Sequence, residues 1–310
     1  RKAGMIAAAA HWASNVLSAG FGTNTVTYQA DLDFDRENEY VIANNLIFAV
    51  FEKYGGRMVK CFAIDWCPEV GRYDAREIVG SPISNPSDPT EAELENSNPY
   101  FNRCSAFRDE GRADQVYAAI PVDNGFIFSY GGTTKALTLP PGRDTFTAAY
   151  TASGTNYVRF GLAPNSLNLL MAGHDALQID HSDAARYYGL INTNAGGRVY
   201  VSWCPCAVRV PSPANAGYLN RLLPLTEQVE LRTTFPSFTL GLAASKDNDG
   251  IPDSYELANG LDPDADDGDT ARFAYLLASG TLIPEPCALL PLVALLWHCR
   301  THGVRHRLAT

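Results

Sequence analysis

From residue 23 to about residue 245 the chain is a run of short apolar or alternating segments, cut apart by Gly, Pro, Asn and Asp. No other feature constrains the fold as tightly. Residues 25–30 alternate, and 40–42 and 46–51 are apolar, with Asn44-Asn45 as the turn between them. Tyr54-Gly55-Gly56-Arg57 marks another turn, followed by an apolar segment over 58–64. Further strand candidates are 125–130, 136–139, 145–150, 156–160, 198–203, 207–210, 228–233 and 238–242. A period of two places alternate side chains on opposite faces of a sheet, and the turn residues end each run. Many short strands with few long helical periods predict a mainly β fold: a large two-sheet antiparallel sandwich over 23–244. All-β chains of about 200–250 residues commonly form one such domain.

Two internal segments do not read as strands. Residues 79–112 form a long polar insertion with Pro82, Pro86, Pro89 and Pro99. Connections of that length are usually functional or mobile. Residues 164–173 read as a short helix or turn closed by Gly173. At the start, residues 5–17 have the Ala-rich composition of a helix, and Gly20 supplies a stop. The apolar run there is too short and too interrupted for a signal peptide. Because the first residue is Arg1, we expect residues 1–22 to be the trailing end of a longer protein. The Ala-rich face needs cover, from an upstream domain or from the sheet that follows.

The net charge of −10 is uneven: residues 246–269 hold nine acids and one base. The remainder is near neutral and carries no basic footprint, so nucleic acid is not an expected partner. The cysteines number seven, an odd count that gives no tidy disulfide framework. Cys204-Pro205-Cys206 suggests a metal or redox pair, but without a second cluster two structural thiols, buried or paired, are the simpler reading.

The acidity gathers in two places. Set on a calcium loop of about twelve positions, Ser245, Asp247, Asp249, Ile251, Asp253 and Glu256 take positions 1, 3, 5, 7, 9 and 12, with Gly250 at the sharp turn. Calcium takes about six to eight oxygens, so carboxylates that would otherwise repel have a reason to converge. Ser245 in place of Asp removes one charged ligand and predicts a weaker site. The plainer alternative is a solvated acidic linker. A second run, Asp31, Asp33, Asp35 and Glu39, fits positions 1, 3, 5 and 9, with Arg36 where Gly is expected. There a solvated strand connection is the stronger expectation, and metal the alternative.

Three resemblances follow from these residues. The run 31–45, then Phe48-Ala49-Val50-Phe51-Glu52 and Gly55-Gly56-Arg57, resembles the start of the β-supersandwich that follows the catalytic barrel in some glycoside hydrolases. The likeness extends more loosely to 102–107 and 135–139. It implies a galactose-mutarotase-like sandwich and polysaccharide as a partner, while the catalytic carboxylates of such proteins usually belong to the barrel. Residues 247–263 resemble a bacterial thrombospondin type 3-like calcium repeat, with a degraded second half. Pro284, Glu285 and Pro286, the apolar run 288–297 and Arg300, Arg305 and Arg307 are similar to a PEP-CTERM exosortase sorting signal. That implies an exported, surface-sorted protein with an exosortase-type protease as partner and a transient membrane stay for the tail. The apolar run falls short of the ~20 residues a comfortable span needs.

The expected layout is therefore a helix over 1–22, a sandwich over 23–244, a calcium-binding repeat over 245–280 and a sorting tail with a short hydrophobic helix over 281–310. No catalytic residue is assigned. His174-Asp175 and His181-Ser182-Asp183 read as turn residues rather than a triad, and Asp109-Glu110 as part of a solvated insertion. Two functions remain open. One is the non-catalytic, carbohydrate-associated part of a surface-sorted polysaccharide-active protein. The other is a structural or adhesive calcium-binding surface protein.

Overall fold

The computed structural model describes residues 2–18, 22–67, 72–80, 105–113, 115–162, 164–165, 176–194, 197–210, 227–246, 256 and 260–262. One helix, α1 (Lys2–Leu17), precedes the strands. In chain order these are β1 (Val26–Ala30), β2 (Glu39–Ala43), β3 (Ile47–Glu52), β4 (Arg57–Cys67), β5 (Arg72–Val79), β6 (Arg108–Asp109), β7 (Ala118–Val122), β8 (Gly125–Tyr130) and β9 (Thr133–Thr138). There follow β10 (Thr145–Thr151), β11 (Asn156–Leu162), β12 (Leu177–Ser182), β13 (Tyr187–Asn192), β14 (Arg198–Trp203), β15 (Ala207–Arg209), β16 (Glu227–Thr233) and β17 (Ser237–Ala243).

They form two sheets, and the pairs within them are antiparallel. The first runs β1-β2-β3-β4-β5-β11-β16-β15, with β6 added on β11. The second runs β12-β13-β14-β17-β10-β9-β8-β7. The predicted two-sheet sandwich is the observed architecture. Between the sheets lies one large core. Phe51 meets Phe146 edge-on at 5.7 Å, and Phe107 meets Phe160 at 5.0 Å. Such tilted pairs set the negative ring face against a positive edge and add to the gain from burial.

The sheets differ in what covers their outer faces. In β9 buried and half-buried residues alternate strictly, so one face meets the core and the other is more open. In β3 all six residues are buried. The reason is α1, which lays Met5, Ala9, Trp12, Ala13 and Val16 on Val41, Phe48, Val50 and Ile64. The Ala-rich face thus finds its cover on the following sheet. Small alanines bring the helix close, and Trp12 Nε1 donates to the Asn44 carbonyl at 2.8 Å.

The polar insertion is corrected in part. Residues 105–112 are woven into the sandwich: Ala106 and Phe107 join the core, and Asp109 is buried rather than solvated. The turn expected at 164–173 lies largely outside the described residues, as does the sorting tail with its hydrophobic helix. No helix among the described residues is long and apolar enough to cross a membrane.

Candidate metal centre

The connection from β1 to β2 starts and ends at a paired position, Ala30 opposite Glu39. That ladder brings the ends of the run 31–39 together, which no local periodicity would do. Asp31 and Asp33 then fold back on their own chain. The Asp35 amide donates to Asp31 Oδ1 at 3.0 Å and to Asp33 Oδ1 at 3.1 Å, and the Arg36 amide donates to Asp31 Oδ2 at 3.1 Å. Glu39, the first residue of β2, accepts the Leu32 amide. Phe34 and Arg36 adopt φ of 65° and 76° to make this loop. Arg36 therefore takes the left-handed backbone for which glycine was expected, with its side chain exposed.

The outcome is three carboxylates, Asp31, Asp33 and Glu39, whose ligating oxygens lie within 4.8 Å of one another. Asp33 is 2% exposed and Glu39 1%. Asp35, the fourth residue of the predicted turn, is not in this group; its carboxylate accepts the Glu37 amide. The first turn of α1 seals the loop from one side. A Cβ on Gly4 would stand 1.8 Å from the Leu32 carbonyl oxygen, so only glycine permits that approach. An all-oxygen set of this kind suits a hard cation such as Ca2+.

Burial pushes the Glu39 carboxyl up to about 7; the Leu32 amide opposes this, and the charges of Asp33 and Asp35 add to it. A raised carboxyl pKa means that the protonated form favours folding. That contribution is complete below the ordinary value of 4.5 and is lost as pH rises through about 7. In metal-free protein the melting temperature should therefore fall across this window. Glu39→Gln should flatten the slope, as a thermal melt at a series of pH values would measure.

The other predicted loop is described only at its ends. Ser245 and Glu256 are both buried, and Leu261 packs on the main core. Asp247, Asp249, Ile251 and Asp253 lie outside the described residues, as do Pro284, Glu285 and Pro286.

The histidine-acid pairs show no triad geometry among the described residues. Asp183 accepts two bonds from Arg209, at 2.7 and 2.9 Å, and Ser182 Oγ caps the Ala185 amide. His174 and Asp175 lie outside the described residues.

One polar cluster had no counterpart in the sequence reading. Lys135, with no exposed surface, donates to the Gly55 and Phe107 carbonyls at 2.7 Å and to Asp109 Oδ2 at 2.9 Å. The Tyr117 hydroxyl donates to the same Asp109 oxygen at 2.8 Å. Burial lowers the Lys135 amine from its ordinary range, and Asp109 opposes that shift. Its three donors are all engaged, so it offers no free base. It ties β9 of one sheet to β6 of the other. The signal was present: Lys135 is in phase with Leu137 along an alternating strand.

No family model matches the chain, and no curated protein matches it in sequence. Among solved structures it is weakly similar to the 4-alpha-glucanotransferase from Thermococcus litoralis, with a TM-score of 0.38 and 14% identity, over 71% of this chain and 39% of that one. It is similar to an active YidC insertase at a TM-score of 0.39 and 12% identity, over 96% of this chain and 56% of that one. A putative mutarotase (YeaD) from Salmonella typhimurium gives 0.34 and 10%, over 70% and 93%. The chain thus spans less than two thirds of the first two proteins. The neighbours include mutarotase-like and carbohydrate-active proteins, and likeness at this level says nothing about activity.

Proposed function

We propose that this chain is a non-catalytic, calcium-stabilised β-supersandwich from an exported, surface-sorted protein that acts on polysaccharide. The calcium part of this reading is carried by the convergence of Asp31, Asp33 and Glu39. Three carboxylates held this close repel one another, two of them almost without water, and a divalent cation turns that cost into binding. The loop touches the first turn of α1, so an ion there would fasten helix to sheet. The repeat at Ser245, Asp247, Asp249, Ile251, Asp253 and Glu256 would be a second calcium position. Polysaccharide as partner and exosortase as processing enzyme rest on the sequence resemblances over 31–57 and 284–286.

Thermal melting with and without Ca2+ tests the reading. At a free concentration about 100 times Kd, a single site adds about 2.7 kcal/mol. A rise of several degrees is expected, reversed by chelator and absent in an Asp31→Asn/Asp33→Asn variant. No shift, or an equal shift in the variant, would overturn the first site. Retention on a glycan panel with Ca2+ present separates the two functions. Retention supports the carbohydrate-associated reading; none on any polysaccharide favours the adhesive or structural one.

A further inference from the structure

Cys204 and Cys206 are bridged to each other across Pro205, with Cα atoms 5.4 Å apart, within the ordinary range for a disulfide. The bridge sits where the chain leaves β14 in one sheet to enter β15 in the other. A turn closes it, with the Ala207 amide on the Cys204 carbonyl at 3.1 Å. Strands β16 and β17, which flank a neighbouring passage between the sheets, supply further partners. The Cys204 amide donates to the Thr239 carbonyl at 3.2 Å, and the Thr233 hydroxyl donates to the Cys206 carbonyl at 2.7 Å.

As a staple this bridge does little. Cross-links stabilise mainly by shortening the reach of the unfolded chain, and the shortest loops gain least. The flanking segments are already held, β14 on β17 and β15 on β16. Its position suits exchange instead. Pro205 is exposed, both cysteines are only half-buried, and Cys206 Sγ lies at an exposed site beside the Ser237 carbonyl. Phe235 in the adjoining turn is 54% exposed and Val208 on β15 is 59% exposed, so apolar surface lies close by. Cys61, a free cysteine, is buried.

We propose that Cys204–Cys206 is a thiol–disulfide exchange site whose substrate is an exposed dithiol of a protein or peptide with apolar flanks. A substrate thiolate attacks Cys206 Sγ, a bond forms between the two sulfurs, and Cys204 leaves as thiolate and takes up a proton. The second substrate thiolate then attacks the substrate sulfur of this mixed disulfide and expels Cys206, which is protonated in turn. Two electrons and two protons pass from substrate to protein. The substrate leaves as a disulfide, one per chain, and no further oxidant enters the step.

The test uses the full chain, anaerobically, with one equivalent of a reduced peptide dithiol flanked by apolar residues. Oxidised peptide is followed by chromatography, and alkylated cysteines are mapped by mass spectrometry. Oxidation should run about tenfold faster than with glutathione disulfide at equal concentration, with alkylation at Cys204 and Cys206. Cys204→Ser and Cys206→Ser should each abolish it with an unchanged circular dichroism spectrum, and Cys61→Ser should retain it. A rate no greater than that of glutathione disulfide would overturn the proposal. So would activity surviving in the Cys204→Ser/Cys206→Ser variant, or a bridge that opens only in denaturant.

Discussion

Asp109→Ala should lower the unfolding free energy by about 3–5 kcal/mol, the usual range when one partner of a buried ion pair is removed. Lys135 lies at zero exposure, and only Asp109 among its three acceptors carries charge. Without that carboxylate the ammonium keeps two carbonyls but loses its counter-ion, and the Tyr117 hydroxyl loses its acceptor. Lys135→Met should be damaging for the mirrored reason, leaving Asp109 buried beside a thioether. The decisive variant combines Asp109→Leu with Lys135→Met. Replacing both charges by apolar groups of similar volume is often neutral or stabilising. Urea unfolding checks this: each single change should move the midpoint at constant slope, and the double variant should recover most of the loss. Equal, additive losses in the double variant would mean that the two residues do not act as a pair.

Trp12→Ala should cost about 3–5 kcal/mol, the range for deleting a large buried aromatic side chain. The ring packs on Phe48 at 5.7 Å and donates from Nε1 to the Asn44 carbonyl. Asn44 is itself a junction. Its side-chain oxygen accepts the Leu46 and Ile47 amides at 2.8 and 2.9 Å, and its Nδ2 donates to the Pro140 and Arg143 carbonyls in the turn that joins β9 and β10 of the other sheet. Helix, first sheet and second sheet therefore meet at one residue. Trp12→Phe keeps most of the apolar contact and loses only the hydrogen bond, so about 1 kcal/mol is expected. Proteolysis gives an independent reading: cleavage within residues 2–18 should speed up in Trp12→Ala and little in Trp12→Phe. If α1 stayed equally protected in both, its hold on the sheet would lie elsewhere.

The strands read correctly from sequence were those with a strong local pattern, such as Ile47–Glu52 and Thr145–Thr151. Those missed have separate physical reasons. Arg72–Val79 carries charges along its length, and its buried apolar residues Ile78 and Val79, which join the core, come only at its end. Ala118–Val122 and Leu177–Ser182 are at the ends of the second sheet, where partial exposure removes the need for apolar alternation. Pro121 fits an edge, since it has no amide to donate. Gly189 interrupts Tyr187–Asn192 because a Cβ there would meet the Tyr200 ring at 2.3 Å. The acidic turn at 31–39 was visible as a spacing, but convergence was the weaker expectation, since Arg36 stood in the glycine position.

Sequence alone determined the mainly β class, the existence of most strands, the helix at the start and the candidate acidic turns. Each depends on neighbours a few residues apart, and period-two alternation or a turn residue acts at that range. Only the tertiary structure decided that Asp31, Asp33 and Glu39 close on one another while Asp35 turns aside, that α1 covers the first sheet, and that Lys135 meets Asp109 between the sheets. Those outcomes depend on which strands pair and in what register. The energy that selects a register is gathered over the whole buried surface, so it is not written in any one stretch of the chain.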